Sequence, residues 1–314
     1  MSLIKNYLFY TAVSNFEADV DNLEFEDFTI LKIRQGKDAA EWRNKLGCKI
    51  VPRFVLQKEF KNYQIKDNDI TYFDNVVGYI LKLLFIFRLY KSGDILFLDN
   101  LIHNIDEDEN STNIYVQNAQ SDMKYIFHQN EIRDFESFKN KIFATNVFDK
   151  DFFNIFINYF MTGVNRGINF NSFFTLEKII DYFIALESIF LVDDSNYFLS
   201  HRMSERISKL FSNNKNFTES EVKKLIKFMY DKRSEIVHGN FIDINEENKN
   251  KKLNDIKIKT IKFEEVIRVA FKIILDHNFS SKIELEKFLK QTYEIPKESE
   301  YVMANATKEA RKLF

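Results

Sequence analysis

The chain has 314 residues, enough for two domains, and 45% hydrophobic with 16% aromatic residues supports a sizeable core. Its 45 basic and 47 acidic residues leave a formal net charge of −2, which excludes an overall basic nucleic-acid binder but not a local basic patch. Cys48 is the only cysteine, so neither an intramolecular disulfide nor a cysteine-based zinc site is possible.

The N-terminus, Met1-Ser-Leu-Ile-Lys-Asn, lacks a basic start followed by an apolar run, so no signal peptide is expected. From Lys5 to about Ile33 the chain reads as strand; Leu23 and Phe25, then Phe28 and Ile30, alternate with polar neighbours. A short helix is predicted at Asp38–Leu46, a strand at Lys49–Gln57 and a longer helix at Asp74–Leu89. The apolar stretch Val76–Tyr90 is interrupted by Lys82 and Arg88 and falls short of the roughly 20 residues that span a bilayer. Strands are predicted at Asp94–Leu98 and Asn113–Gln117, flanking an Asn/Asp-rich loop from Asn104 to Asn113. The 34 phenylalanines, among many Lys, Asn and Ile, read as generic large apolar residues.

Beyond about Asn146 the periodicity turns helical, with helices predicted at Lys150–Thr162, Ser172–Leu191, Phe198–Ser212, Ser220–His238, Phe263–Leu275 and Ile283–Thr292. No proline lies between Pro52 and Pro296, which suits long helices. The polar segment Asn240–Ile261 reads either as a solvated loop or as a basic flap. A further short amphipathic piece is predicted in the tail to Phe314. The expected organisation is α+β: a mixed, β-rich region at 1–145, then an all-α region at 146–314.

The most informative stretch closes the Ser220–His238 helix. Val222, Leu225, Ile226, Met229, Tyr230, Ile236 and Val237 recur at the spacing of one apolar face. Arg233 lies eleven residues after Val222, about three turns at ~100° per residue, and so falls on that face. Glu187 holds the same place, eleven residues after Leu176, in the apolar stripe of Ser172–Leu191. Two charges of opposite sign on apolar faces predict that the helices pack and that Glu187 pairs with Arg233. Such a pair serves equally to fix helix register. His238 falls in the last turn, roughly 140° round from Arg233, where it is either a C-terminal cap or a chemical group. Gly239 is placed to end the helix in a left-handed conformation.

No His-Glu-x-x-His, phosphate-cradling glycine loop or Gly-x-Ser-x-Gly is present, and the chain has only seven glycines. Neither metal nor cofactor is expected. Arg233-Ser-Glu-Ile-Val-His238 resembles the R-x4–6-H motif of HEPN domains, and its extension through Gly239 is similar to the ApeA-like branch. Ile184-Ala-Leu-Glu187-Ser-Ile-Phe190 and Ser200–Phe211 resemble that branch's preceding helices. The resemblance covers a core of 170–278. It implies a helical bundle that dimerises, two motifs forming one composite site, and metal-independent RNA cleavage by an effector of anti-phage defence or a toxin. A non-catalytic module binding RNA, nucleotide or a protein partner is the alternative.

In the implied reaction the ribose 2′-OH attacks the adjacent phosphate to leave a 2′,3′-cyclic phosphate. His238 acts as acid or base and Arg233 stabilises the developing charge. Ser234 departs from the Asn, Asp or His common at its position in active relatives. Glu187, Ser234 and Asn240 are supporting residues, and Arg202, Arg206, Lys227 and Lys232 are candidate RNA contacts or ordinary surface charges. The expected setting is cytoplasmic, with RNA as substrate, no membrane, and a sensor or antitoxin as partner. Region 1–145 would sense a trigger or restrain the nuclease.

Overall fold

The computed structural model describes residues 3–46, 52–65, 71–106, 109–113, 123–166, 172–192, 198–239 and 246–292. Among the described residues eight strands occupy the N-terminal region: β1 (Leu3–Ser14), β2 (Phe16–Ala18), β3 (Asn22–Glu24), β4 (Thr29–Lys32), β5 (Phe54–Ile65), β6 (Leu96–Asn104), β7 (Glu109–Asn113) and β8 (Tyr125–Phe127). Six of them form an antiparallel sheet in the order β3-β4-β5-β1-β6-β7, and β2 pairs in parallel with β8. The helices are α1 (Lys37–Leu46), α2 (Thr71–Tyr90), α3 (Ile132–Ala144), α4 (Asp151–Asn165), α5 (Ser172–Phe190), α6 (Leu199–Lys209), α7 (Glu219–Val237), α8 (Glu246–Asp276) and α9 (Lys282–Thr292). The fold is therefore an antiparallel sheet region followed by a helical region, as the sequence predicts.

Alternation in β1 explains how the sheet is covered. Tyr7, Phe9 and Val13 belong to the main core, while Tyr10 and Ala12 on the opposite face pack beneath α1 with Leu46 and Trp42. The apolar stretch Val76–Tyr90 lies within α2, a helix too hydrophobic to be a surface element. Leu83 to Phe87 and Leu89 are all at most 1% exposed. Phe87 meets Phe97 of β6 and stacks on Phe135 of α3 at 4.3 Å, while Phe85 meets Phe160 of α4 and Phe271 of α8. One continuous core thus runs from the sheet through α2 into the helices, across the division expected near residue 145.

Three expectations are corrected. Glu109–Asn113, expected as loop, is strand β7, paired with β6 through Asn100↔Asn113 to Asn104↔Glu109. The strand expected at Lys49–Gln57 begins at Phe54 and continues to Ile65; Lys49 to Val51 lie outside the described residues, as do 114–117 and the tail after Thr292. The flap is the largest change: residues 246–261 are the first half of α8. Ile256, Thr260, Phe263, Ile267, Ala270 and Ile274, all fully buried, run along one side at spacings of three and four. Lysines elsewhere on the helix hide that stripe from a reading of polarity. Helix α3 was not anticipated.

Among the described residues no helix is long and apolar enough to cross a membrane.

Candidate functional site

Helix α7 carries the motif, and both its ends are encoded locally. Thr218 is the N-cap; its Oγ1 accepts from the Glu221 backbone N–H at 3.3 Å while the Glu221 carboxylate accepts from the Thr218 N–H at 2.9 Å. At the other end the His238 N–H reaches the Ser234 carbonyl at 3.1 Å. Gly239, at φ +72°, donates to the Ile236 carbonyl at 3.1 Å. That is the left-handed stop expected of this glycine.

Val222, Ile226 and Met229 are fully buried and seat α7 on its neighbours. One turn before Glu187 and Arg233 come together, Phe183 of α5 meets Tyr230 of α7 edge to face at 5.4 Å. Arg233 Nη2 then lies 3.7 Å from Glu187 Oε1, the contact predicted from the two apolar stripes. It is looser and wetter than expected: the two side chains are 28% and 27% exposed, and the approach is ionic rather than a two-bond fork. The Arg233 guanidinium lies 5.8 Å from the centre of the Tyr230 ring. Burial raises the Glu187 carboxyl above its usual range, opposed by the charge of Arg233.

His238 is the C-cap residue and is exposed, with φ −87° and ψ 4°. Ser234 is half-buried one turn earlier. Asn240 lies outside the described residues.

The candidate RNA contacts fare differently from one another. Arg202 and Arg206 are fully buried, so neither faces a surface that a phosphate backbone could reach. Arg206 Nη1 instead donates to the carbonyl of Phe190, the last residue of α5, at 2.7 Å. An amphipathic reading of α6 failed here because Arg202, Ser204, Glu205, Arg206 and Ser208 are all interior. Lys232 is 13% exposed, pairs with Glu235 and lies 5.6 Å from the Phe228 ring. Lys227 is half-exposed and Lys224 exposed. Lys259 of α8 sits 3.7 Å from the Phe228 ring and 2.7 Å from Asp255.

Comparison with protein-family models, curated proteins and solved structures finds no match to this chain. Function is therefore read from the residues themselves.

A second polar cluster was missed from sequence. Arg88 of α2, Lys178 and Tyr182 of α5, and Glu264 and Arg268 of α8 are all at most 4% exposed, and Asp94 is 5% exposed. Glu264 takes an ion pair from Lys178 at 2.8 Å, another from Arg268, and a hydrogen bond from the Tyr182 hydroxyl. Burial alone would raise the Glu264 carboxyl, but Lys178 and Arg268 hold it below the usual range; burial pushes Asp94 up to about 6. The one visible clue was Arg88 within an apolar stretch. Lys178 and Glu264, each next to core positions, gave no separate sign.

Among the described residues no group of three His, Cys, Asp or Glu side chains is placed to hold a metal ion. A surface cleft of about 690 Å³, lined by Glu24, Glu26, Arg133, Glu136 and Asn140 among others, belongs to the N-terminal region. None of the motif residues lines it.

Proposed function

We propose that the chain is a HEPN-type endoribonuclease whose site is completed by a second copy. The observation that carries this reading is the end of α7. Arg233 is held against Glu187 of α5 while His238, five residues on, stands exposed at the cap. A half-buried guanidinium keeps donors for a phosphate beyond those facing Glu187. The exposed imidazole presents ring nitrogens that can give a proton to, or take one from, a bound substrate. The two diverge around the helix by roughly 140°, so a site needing both on one phosphate is best completed across a two-fold axis.

In the proposed step a base removes the proton of the ribose 2′-OH as its oxygen bonds to phosphorus. The bond from phosphorus to the 5′-oxygen breaks, an acid protonates that oxygen, and a 2′,3′-cyclic phosphate remains. His238 supplies one of the proton transfers, and Arg233 stabilises charge on the phosphoryl oxygens. The test is incubation of tRNA and mRNA with the protein in excess EDTA, reading product ends for cyclic phosphate. Fragments that all end in 3′-hydroxyls would refute the step. An effector role in defence against phage, in the cytoplasm, follows the same resemblance.

A second reading, a module that binds RNA, nucleotide or a protein partner without cutting, has its own support. Ser234 replaces the residue types common in active relatives, and the burial of Arg202 and Arg206 removes two cations from the RNA-facing set. RNA bound but left intact would favour it.

A further inference from the structure

The last four carbonyls of any helix have no partner within it. In α2, which ends at Tyr90, those carbonyls belong to Phe87, Arg88, Leu89 and Tyr90. Tyr125 of β8 donates its hydroxyl to the Phe87 carbonyl at 2.8 Å. Arg268 Nε of α8 donates to the Arg88 carbonyl at 2.6 Å, and Lys272 Nζ, one turn further along α8, donates to the Tyr90 carbonyl at 2.6 Å. Arg268 and Lys272 thus place two positive charges at the negative end of the α2 dipole.

The Arg88 side chain turns the other way, donating through Nε and Nη2 to the Ile95 carbonyl at 3.1 and 3.0 Å, just before β6. Arg268 is also paired with Glu264, and Glu264 with Lys178 of α5, nine residues before Glu187. A chain of direct contacts therefore runs from the sheet, through the end of α2, to α5 and α8, two of the three helices that pack against α7.

We propose that the C-terminal end of α2 is a clamp, closed by Arg268 and Lys272, that joins the N-terminal sheet and the helical region into a single cooperative unit and carries displacement of the sheet to α5 and α8. Region 1–145 is then a structural half of the molecule. A trigger acting on it would reach the end of α7 through these helices, without any domain being released. The proposal does not depend on RNA cleavage.

The sequence supplies its own probe. Trp42, the only tryptophan, lies in α1 and meets Tyr10 of β1 at 5.1 Å, so its fluorescence reports the sheet. Far-UV ellipticity reports mainly α3 to α9. Equilibrium urea unfolding of the full chain should show the two signals changing together at one midpoint. Arg268→Met should lower both midpoints by the same amount, whereas Lys290→Met, on α9, should move neither. If Arg268→Met does not fold, Lys272→Met gives the same paired comparison. Two resolved transitions in the wild type would overturn the proposal. So would a clamp variant that shifts the ellipticity midpoint alone, or one that shifts neither.

Discussion

His238 and Arg233 differ in what their loss should do. The His238 ring is in solvent at a helix cap, so His238→Ala should change stability by less than about 1 kcal/mol. If the ring transfers a proton, RNA cleavage should fall by roughly 100-fold or more. Arg233→Ala also strips Glu187 of its counter-charge, so a stability loss accompanies any loss of activity. Here pH separates the effects. Burial raises the Glu187 carboxyl in the folded state, so the folded form favours its protonation. Ionised Glu187 is then a cost, absent below its unfolded value near 4.5 and complete above its raised folded value. Arg233→Ala should accordingly destabilise the protein more at pH 7 than at pH 4, and thermal unfolding at the two pH values checks this. Glu187→Gln should be neutral or stabilising at pH 7.

Asp27 has the opposite sign. Burial would raise its carboxyl, but hydrogen bonds from Lys139, Lys58 and Tyr79 bring it down to about 2. That stability is present above the unfolded value of 3.8 and lost as pH falls toward 2. Asp27→Asn should therefore lower the melting temperature at pH 7 and have little effect near pH 2. Nothing in the sequence marked this cluster, because Asp27, Lys58, Tyr79 and Lys139 come from four separated segments. Glu187 and Arg233 were legible because each broke an otherwise regular apolar stripe. Arg202 and Arg206 were misread because they flank the apolar stripe of their helix, whose polar residues Ser204, Glu205 and Ser208 are interior as well.

Among the elements, α7 was the most legible, its end set by Gly239 and its face by regular apolar spacing. Thr218→Ala removes its cap and should cost about 1 kcal/mol in urea unfolding. The hairpin of α4 and α5 is held more closely. A Cβ on Gly163 would run into the Tyr182 ring, which is itself bonded to Glu264. Gly163→Ala should cost about 1–3 kcal/mol by overpacking, despite the better helix propensity of alanine. The first half of α8 escaped the sequence reading because Lys, Asn and Asp outnumber its apolar residues, and β7 because Glu109-Asn-Ser-Thr-Asn113 is an edge strand with no apolar alternation. In both, tertiary pairing overrides what the local sequence prefers.

At the scale of the molecule, composition foresaw a large core but not that α2 would stand at its centre between sheet and helices. That placement relates region 1–145, through packed side chains, to helices that pack against the motif helix. The functional account rests on the end of α7 and is tested there most directly. Wild type and His238→Ala, shown to melt at the same temperature, are incubated with end-labelled tRNA and mRNA in excess EDTA. The account predicts wild-type fragments ending in 2′,3′-cyclic phosphate and uncut RNA with the variant. Equal cleavage by both proteins, or binding by the wild type with the RNA left whole, would contradict it.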